Sequence, residues 1–138
     1  MSLLPQILPE TQGYWDAAAQ GQLAIQRCQD CKKCYFPPAP VCPHCSSRDV
    51  VWETMSGRAT LYSYVITLSP WPFWELPAPM SVATVALEEG PRLLSTVVDC
   101  EQSPTALTID MQLVATWRKF GDGPKLLCFA PAAEAGYD

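Results

Sequence analysis

Two C-x2-C pairs, Cys28/Cys31 and Cys42/Cys45, lie ten residues apart within one 18-residue span of this chain. Each pair can close a tight turn that aims two thiolates at one point. Two such turns complete a tetrahedral sulfur site of the kind that holds structural zinc (Zn2+). A closed four-thiolate shell leaves no position for water or substrate, so the spacing predicts a staple rather than a catalytic metal. Arg27, Lys32 and Lys33 would offset the net −2 of such a tetrathiolate.

The remaining composition narrows the class. The chain has 138 residues, enough for a small module joined to a domain of about a hundred residues. An apolar share of 49% supports a real core, and fourteen prolines suit short strands joined by stiff turns. Seven cysteines are an odd number, and five of them fall between Cys28 and Cys45. Residues 1–9 have neither a basic start nor a long apolar run, and no stretch approaches the roughly 18 apolar residues of a membrane helix. The expectation is a cytoplasmic protein with metal-bound thiolates and no membrane contact. A net charge of −5 opposes nucleic-acid binding, although Arg27, Lys32, Lys33, Arg48 and Arg58 gather five of the nine basic residues near the cysteines.

Along the chain, residues 1–26 read as an arm and a helix from about Thr11 to Gln20, with Gly21 as its stop. Residues 27–50 read as the zinc ribbon, entered by a strand over Leu23–Arg27, with Tyr35-Phe36-Pro37-Pro38 as the returning chain. Residues 51–138 read as all-β. A connecting strand covers Asp49–Met55, and strands follow over Arg58–Thr67, Met80–Leu87, Arg92–Asp99, Met111–Phe120 and Lys125–Ala130. In Arg58–Thr67, Leu61, Ser63 and Val65 alternate with Tyr62, Tyr64 and Ile66, which suits a strand with both faces partly covered. Residues 101–110 connect the third and fourth of these five strands and have room for one helical turn. That strand count and the long third connection fit a five-stranded OB-fold barrel. The predicted fold is thus mainly β, with an N-terminal helix, a zinc ribbon and a C-terminal barrel.

Several segments, taken in order, resemble a known family. They are Tyr14-Trp15-Asp16-Ala17-Ala18 with Gly21-Gln22-Leu23, Gln26-Arg27-Cys28-Gln29-Asp30-Cys31, Phe36-Pro37-Pro38, and Cys42-Pro43-His44-Cys45. Ser56 to Ser63 and Val85 to Leu94 continue the series. The chain resembles, over residues 10–131, acyl-CoA-associated proteins that join a rubredoxin-like zinc ribbon to an OB-fold. The resemblance implies a non-catalytic subunit, working with a thiolase, a thiolase-like aldolase or an acyl-CoA hydratase that supplies the reacting groups. Two departures stand out. Family members often carry Gly after the second cysteine of each pair, where this chain has Lys32 and Ser46; a left-handed backbone costs more there. Cys34 is an extra thiol that makes Cys31–Cys34 a competing C-x2-C.

No independent catalytic set is evident. His44 is the one histidine and sits in the second cysteine turn, so neither a Cys–His pair nor a serine triad can be built elsewhere. Cys100 and Cys128 read as small buried hydrophobes. Glu88 and Glu89 read as solvated turn residues. Arg27, Lys32, Lys33 and Arg48 are candidates for the phosphates of CoA on charge alone. Trp71, Phe73 and Trp74, in a proline-rich loop, are candidates for contact with a partner subunit. A MaoC-type hydratase as the partner, a single-stranded nucleic-acid module, and an electron carrier with iron in the cysteine cage remain open as other readings.

Overall fold

A computed structural model describes residues 5–69, 78–119 and 122–132. A 3-10 turn (Pro9–Thr11) runs into α1 (Gln12–Ala19). Thr11 makes no capping bond to α1; its hydroxyl donates back to the Leu8 carbonyl at 3.0 Å. Gly21 ends the helix as expected. It takes φ +72°, and the Gln22 N–H returns to the Ala17 carbonyl at 2.9 Å.

Three short strands, β1 (Ala24–Cys28), β2 (Cys34–Tyr35) and β3 (Val50–Thr54), form an antiparallel sheet in the order β2-β1-β3. Spacing alone predicts only returning chain through Tyr35, whereas Cys34 and Tyr35 pair with Arg27 and Gln26. The proline-rich loop that follows is pinned by side chains, because proline offers no N–H of its own. Buried Gln26 accepts from the Ala39 N–H at 2.7 Å, and the Tyr35 hydroxyl donates to the Ala39 carbonyl at 2.7 Å.

The second sheet holds β4 (Arg58–Thr67), β5 (Met80–Leu87), β6 (Arg92–Ser95), β7 (Gln112–Lys119) and β8 (Lys125–Pro131), in the order β6-β5-β4-β7-β8. Its two ends meet. Val97 bridges Phe129 in parallel, with Val98 N–H to the Phe129 carbonyl at 2.7 Å and Phe129 N–H to the Thr96 carbonyl at 3.0 Å. A five-stranded antiparallel sheet curled until its edges join is an OB-fold barrel. The strand expected over Arg92–Asp99 stops at Ser95 because the chain there leaves β5 to reach β8. Side chains satisfy the backbone groups this releases. The Ser81 hydroxyl accepts from Val97 N–H at 3.0 Å, while Gln102 accepts from Ser81 N–H at 2.7 Å and donates to the Val97 carbonyl at 2.8 Å. In the connection that follows, one helical turn forms, with Leu107 N–H on the Ser103 carbonyl at 2.9 Å, and it drops Leu107 into the core.

The alternation in β4 is interrupted for a local reason. Leu61 pairs with Val85 and Ser63 with Thr84, so Tyr62 is an extra residue in a bulge. The bulge reverses the phase: Leu61 faces inward before it, Tyr64 and Ile66 pack on the core after it, and Val65 is exposed. Leu61, Ser63 and Val65 therefore do not share a face.

One core spans both sheets, joining Leu23, Ile25, Cys34 and Met55 to Leu61, Val85, Leu113 and Phe129. Helix α1 lies over the seam. A Cβ on Gly13 would sit 2.4 Å from the Trp52 ring, so only glycine lets the helix approach β3 this closely. Tyr14 meets the rings of Trp15, Phe36 and Trp117 at centroid distances of 4.9, 5.8 and 6.3 Å. Among the described residues no helix is long and apolar enough to cross a membrane.

Candidate metal centre and the adjoining groove

The end of β1 delivers Cys28, and the turn after it returns Cys31; the loop before β3 carries Cys42 and Cys45. The two turns are built alike. Lys32 N–H donates to the Cys28 carbonyl and Ser46 N–H to the Cys42 carbonyl, both at 2.9 Å. Cys31 N–H and His44 N–H point at the sulfurs of Cys28 and Cys42, both at 3.4 Å. Lys32 (φ 68°) and Ser46 (φ 65°) take the left-handed conformation expected where glycine is the cheaper residue. The Ser47 hydroxyl donates to Asp30 and accepts from Asp49 N–H at 3.0 Å, which ties one turn to the other.

The four sulfurs lie within 4.8 Å of one another, with Cys28–Cys45 at 3.5 Å and Cys31–Cys42 at 3.6 Å. All are free cysteines, far from the roughly 2.05 Å of a disulfide. Zinc–sulfur bonds of about 2.3 Å in a tetrahedron place sulfurs about 3.8 Å apart, so the donor set and its spacing fit zinc. The electrostatics agree. The N–H groups of Cys31 and Asp30 pull the Cys28 thiol down to about 6. The Ser47 N–H favours the Cys45 thiolate, but proton sharing with Cys28 and the crowding of Cys31 and Cys42 push it up to about 12. Four thiolates this close need a cation.

Cys34 does not join the cluster, so the competing C-x2-C is not used. It is buried in the shared core, where burial raises its thiol pKa. Burial likewise raises Cys100, and lifts Cys128 to about 11, leaving both poor nucleophiles. His44 is exposed, and its ring makes no hydrogen bond among the described residues.

The four basic candidates separate. Arg27 is engaged, its Nε on Glu53 and another guanidinium nitrogen on the Lys32 carbonyl, both at 2.6 Å. Lys32 and Lys33 line a groove of about 460 Å³ between the first cysteine turn and the β5–β6 turn. Its walls also include Phe36, His44, Glu89 and Arg92. Arg48 is exposed and outside that lining. Arg92 was not singled out from sequence because its turn is far along the chain; its guanidinium stacks 3.9 Å over the Tyr62 ring. Glu89 is more than a solvated turn residue. One oxygen accepts from Ser56 N–H at 2.8 Å, and the other, Oε1, is buried without a hydrogen-bond partner among the described residues. Glu88 pairs with Arg58 at 2.8 Å. Trp71, Phe73 and Trp74 lie outside the described residues.

Two family models match the chain in succession. Residues 15–51 match the family model described as "ChsH2, rubredoxin-like zinc ribbon domain", and residues 52–118 match "ChsH2, C-terminal OB-fold domain". The chain is 37% identical over 130 residues to a "Probable enoyl-CoA hydratase alpha subunit" of Thermomonospora curvata, covering 93% of this chain but only 39% of that protein's length. It is 31% identical over 115 residues to a "DUF35 domain-containing scaffold protein" of Methanothermobacter thermautotrophicus, covering 82% of this chain and 85% of that protein. Among solved structures it matches a chain of the "Ltp2-ChsH2(DUF35) aldolase" with TM-score 0.82 and 35% identity, covering 94% of this chain and 99% of that one. With its ribbon, its barrel and their order all matched, the chain belongs to the DUF35 family, a rubredoxin-like zinc ribbon followed by an OB-fold.

Proposed function

We propose that this chain is a non-catalytic accessory subunit that assembles with a thiolase-like or aldolase-type enzyme and helps bind or channel its acyl-CoA thioester. The observation that carries this reading is the near end-to-end match to the DUF35 chain of an aldolase complex. The chemistry of the chain supports it. The sulfur cluster closes on itself, the three other cysteines have raised pKa values, and the histidine ring has no base or nucleophile bonded to it among the described residues. Reacting groups then come from the partner.

In this reading Cys28, Cys31, Cys42 and Cys45 hold one structural zinc, and Trp71, Phe73 and Trp74 contact the partner. A hydratase is the second candidate partner, because a hydratase alpha subunit contains a region like this chain within a longer protein. Co-expression with an aldolase subunit and, separately, with a MaoC-type hydratase subunit tests the reading. The expected result is a stable complex with one of them, acyl-CoA turnover only in that complex, and one zinc per chain in a colourless protein. Turnover by the isolated chain would overturn the accessory role. A red, iron-containing protein would overturn the structural-zinc assignment. Alanine at Trp71 and Trp74 should weaken co-purification and leave zinc content unchanged.

A further inference from the structure

The four sulfurs of the metal centre are not equally sheltered. Cys28 and Cys42 are 0% and 1% exposed, Cys31 is half-buried, and Cys45 is exposed. Buried structural cysteines are inert, whereas a thiolate open to solvent is the first to meet a small oxidant. The sulfur closest to Cys45 is that of fully buried Cys28, 3.5 Å away. This contact crosses from one cysteine turn to the other, as does the second close pair, Cys31 with Cys42 at 3.6 Å. Metal ligation requires the sulfurs to be deprotonated. Cys45 is then a solvent-facing nucleophile with a resolving thiolate already beside it, the arrangement of a redox-sensing pair.

We propose that the centre is a peroxide-sensitive switch, in which a hydroperoxide oxidises Cys45, Cys28 closes a disulfide across the two turns, and the ion is released. The inference rests on the structural-zinc reading above and adds control to a passive staple. The Cys45 thiolate attacks the terminal oxygen of the hydroperoxide; the O–O bond breaks, the sulfur becomes a sulfenic acid, and the other oxygen leaves as hydroxide or alkoxide. The Cys28 thiolate then attacks that sulfur, the S–O bond breaks, and hydroxide leaves. One peroxide is reduced by two electrons as one disulfide forms. The two sulfurs must close by about 1.5 Å to reach the roughly 2.05 Å of that bond. Only Cys31 and Cys42 then remain as donors, too few for a closed tetrahedral site. Cys28, Tyr35 and Cys42 form a buried cluster separate from the main core, so the change stays in the ribbon and spares the barrel. Small thiols reverse the link by exchange.

The test starts from the full chain with its zinc content measured. A chain without zinc, before any oxidant is added, overturns the structural-zinc reading and this proposal with it. One equivalent of hydrogen peroxide should release the zinc to a chromogenic chelator, and peptide mapping after alkylation should show Cys28 linked to Cys45. Dithiothreitol with added zinc should restore the starting state. Cys45→His keeps a donor at the fourth position but cannot form the link, so it should hold zinc and release it about tenfold more slowly. Cys100→Ser should release zinc at the parental rate. Zinc retained under excess peroxide would overturn the switch and leave the zinc reading standing. A first disulfide elsewhere, or parental release from Cys45→His, would overturn the assignment to Cys45 and Cys28. Should Cys45→His fail to bind zinc, the disulfide map of the parent decides alone.

Discussion

The two halves of this molecule are held together by different physics. The cysteine end of the ribbon has a separate cluster of three buried side chains among the described residues, Cys28, Tyr35 and Cys42, and two of these are candidate metal ligands. The barrel buries Leu61, Val85, Val97, Leu113 and Phe129 to 0% exposure, and none of these is a candidate ligand. Folding energy in the ribbon is therefore expected to arrive with the metal, whereas in the barrel it comes from apolar area removed from water. Where the two meet, β1 and α1 belong to both regimes: Cys28 ends the strand at the metal, and Ile25 on the same strand lies in the shared core.

The largest expected effect is loss of the metal. Chelation, or Cys42→Ala, should release the zinc and expose the amides of residues 28–50 to rapid hydrogen exchange, while β4, β5 and β7 stay protected. Apparent zinc-binding energies in small zinc modules run to about 10 kcal/mol or more, so little local structure should survive. Uniform protection after chelation would erase the contrast between the halves. Conversely, Phe129→Ala should cost about 3–5 kcal/mol in chemical denaturation and leave zinc stoichiometry at one.

At the seam, burial and a smaller contribution from Cys128 raise the Tyr14 phenol to about 12, from 10.0 when free. Its contribution to stability is complete below pH 10 and is lost as pH rises from there through about 12, since only the unfolded chain ionises readily in that window. The slope should approach about 1.4 kcal/mol per pH unit and flatten in Tyr14→Phe, read from denaturation midpoints between pH 9 and 11.5. Gly13→Ala should destabilise by about 1–3 kcal/mol through collision with Trp52, against a helix-propensity gain of about 1 kcal/mol. The same substitution should cost less in a Trp52→Ala background, and equal cost would show that the close approach is not limiting.

The smallest effect lies in the two cysteine turns of the ribbon. Lys32→Gly and Ser46→Gly should each relieve a left-handed backbone and raise thermal stability by less than about 1 kcal/mol after the entropy cost of the added glycine.

What could be read from residues was local. A C-x2-C pair sets its own turn, so the cluster of four sulfurs followed from spacing, while the left-handed backbone at Lys32 and Ser46 was to be expected only from the glycine that similar proteins carry there. Gly21 as a helix stop and the barrel strands followed from local chemistry and alternation. The change of phase within β4 is not legible in the sequence, because a bulge at Tyr62 leaves no mark in composition until β5 supplies the register. Other features needed partners distant in the chain. They include the short pairing of Cys34 and Tyr35 with β1, the closure of Val97 on Phe129, and the contact of Gly13 with Trp52.

The charged groove belongs to this second kind. Lys32 and Lys33 were visible as basic residues near a metal site, but their company with Arg92 and Glu89 exists only because the barrel hairpin folds back onto the ribbon. Sequence by itself determined the metal-ligating turns and the strand content, since these depend on neighbours within a few residues. Tertiary structure alone decided which cations share a cleft and where the two halves touch, because those contacts are set by packing between segments that the linear order keeps some 60 residues apart in the chain numbering.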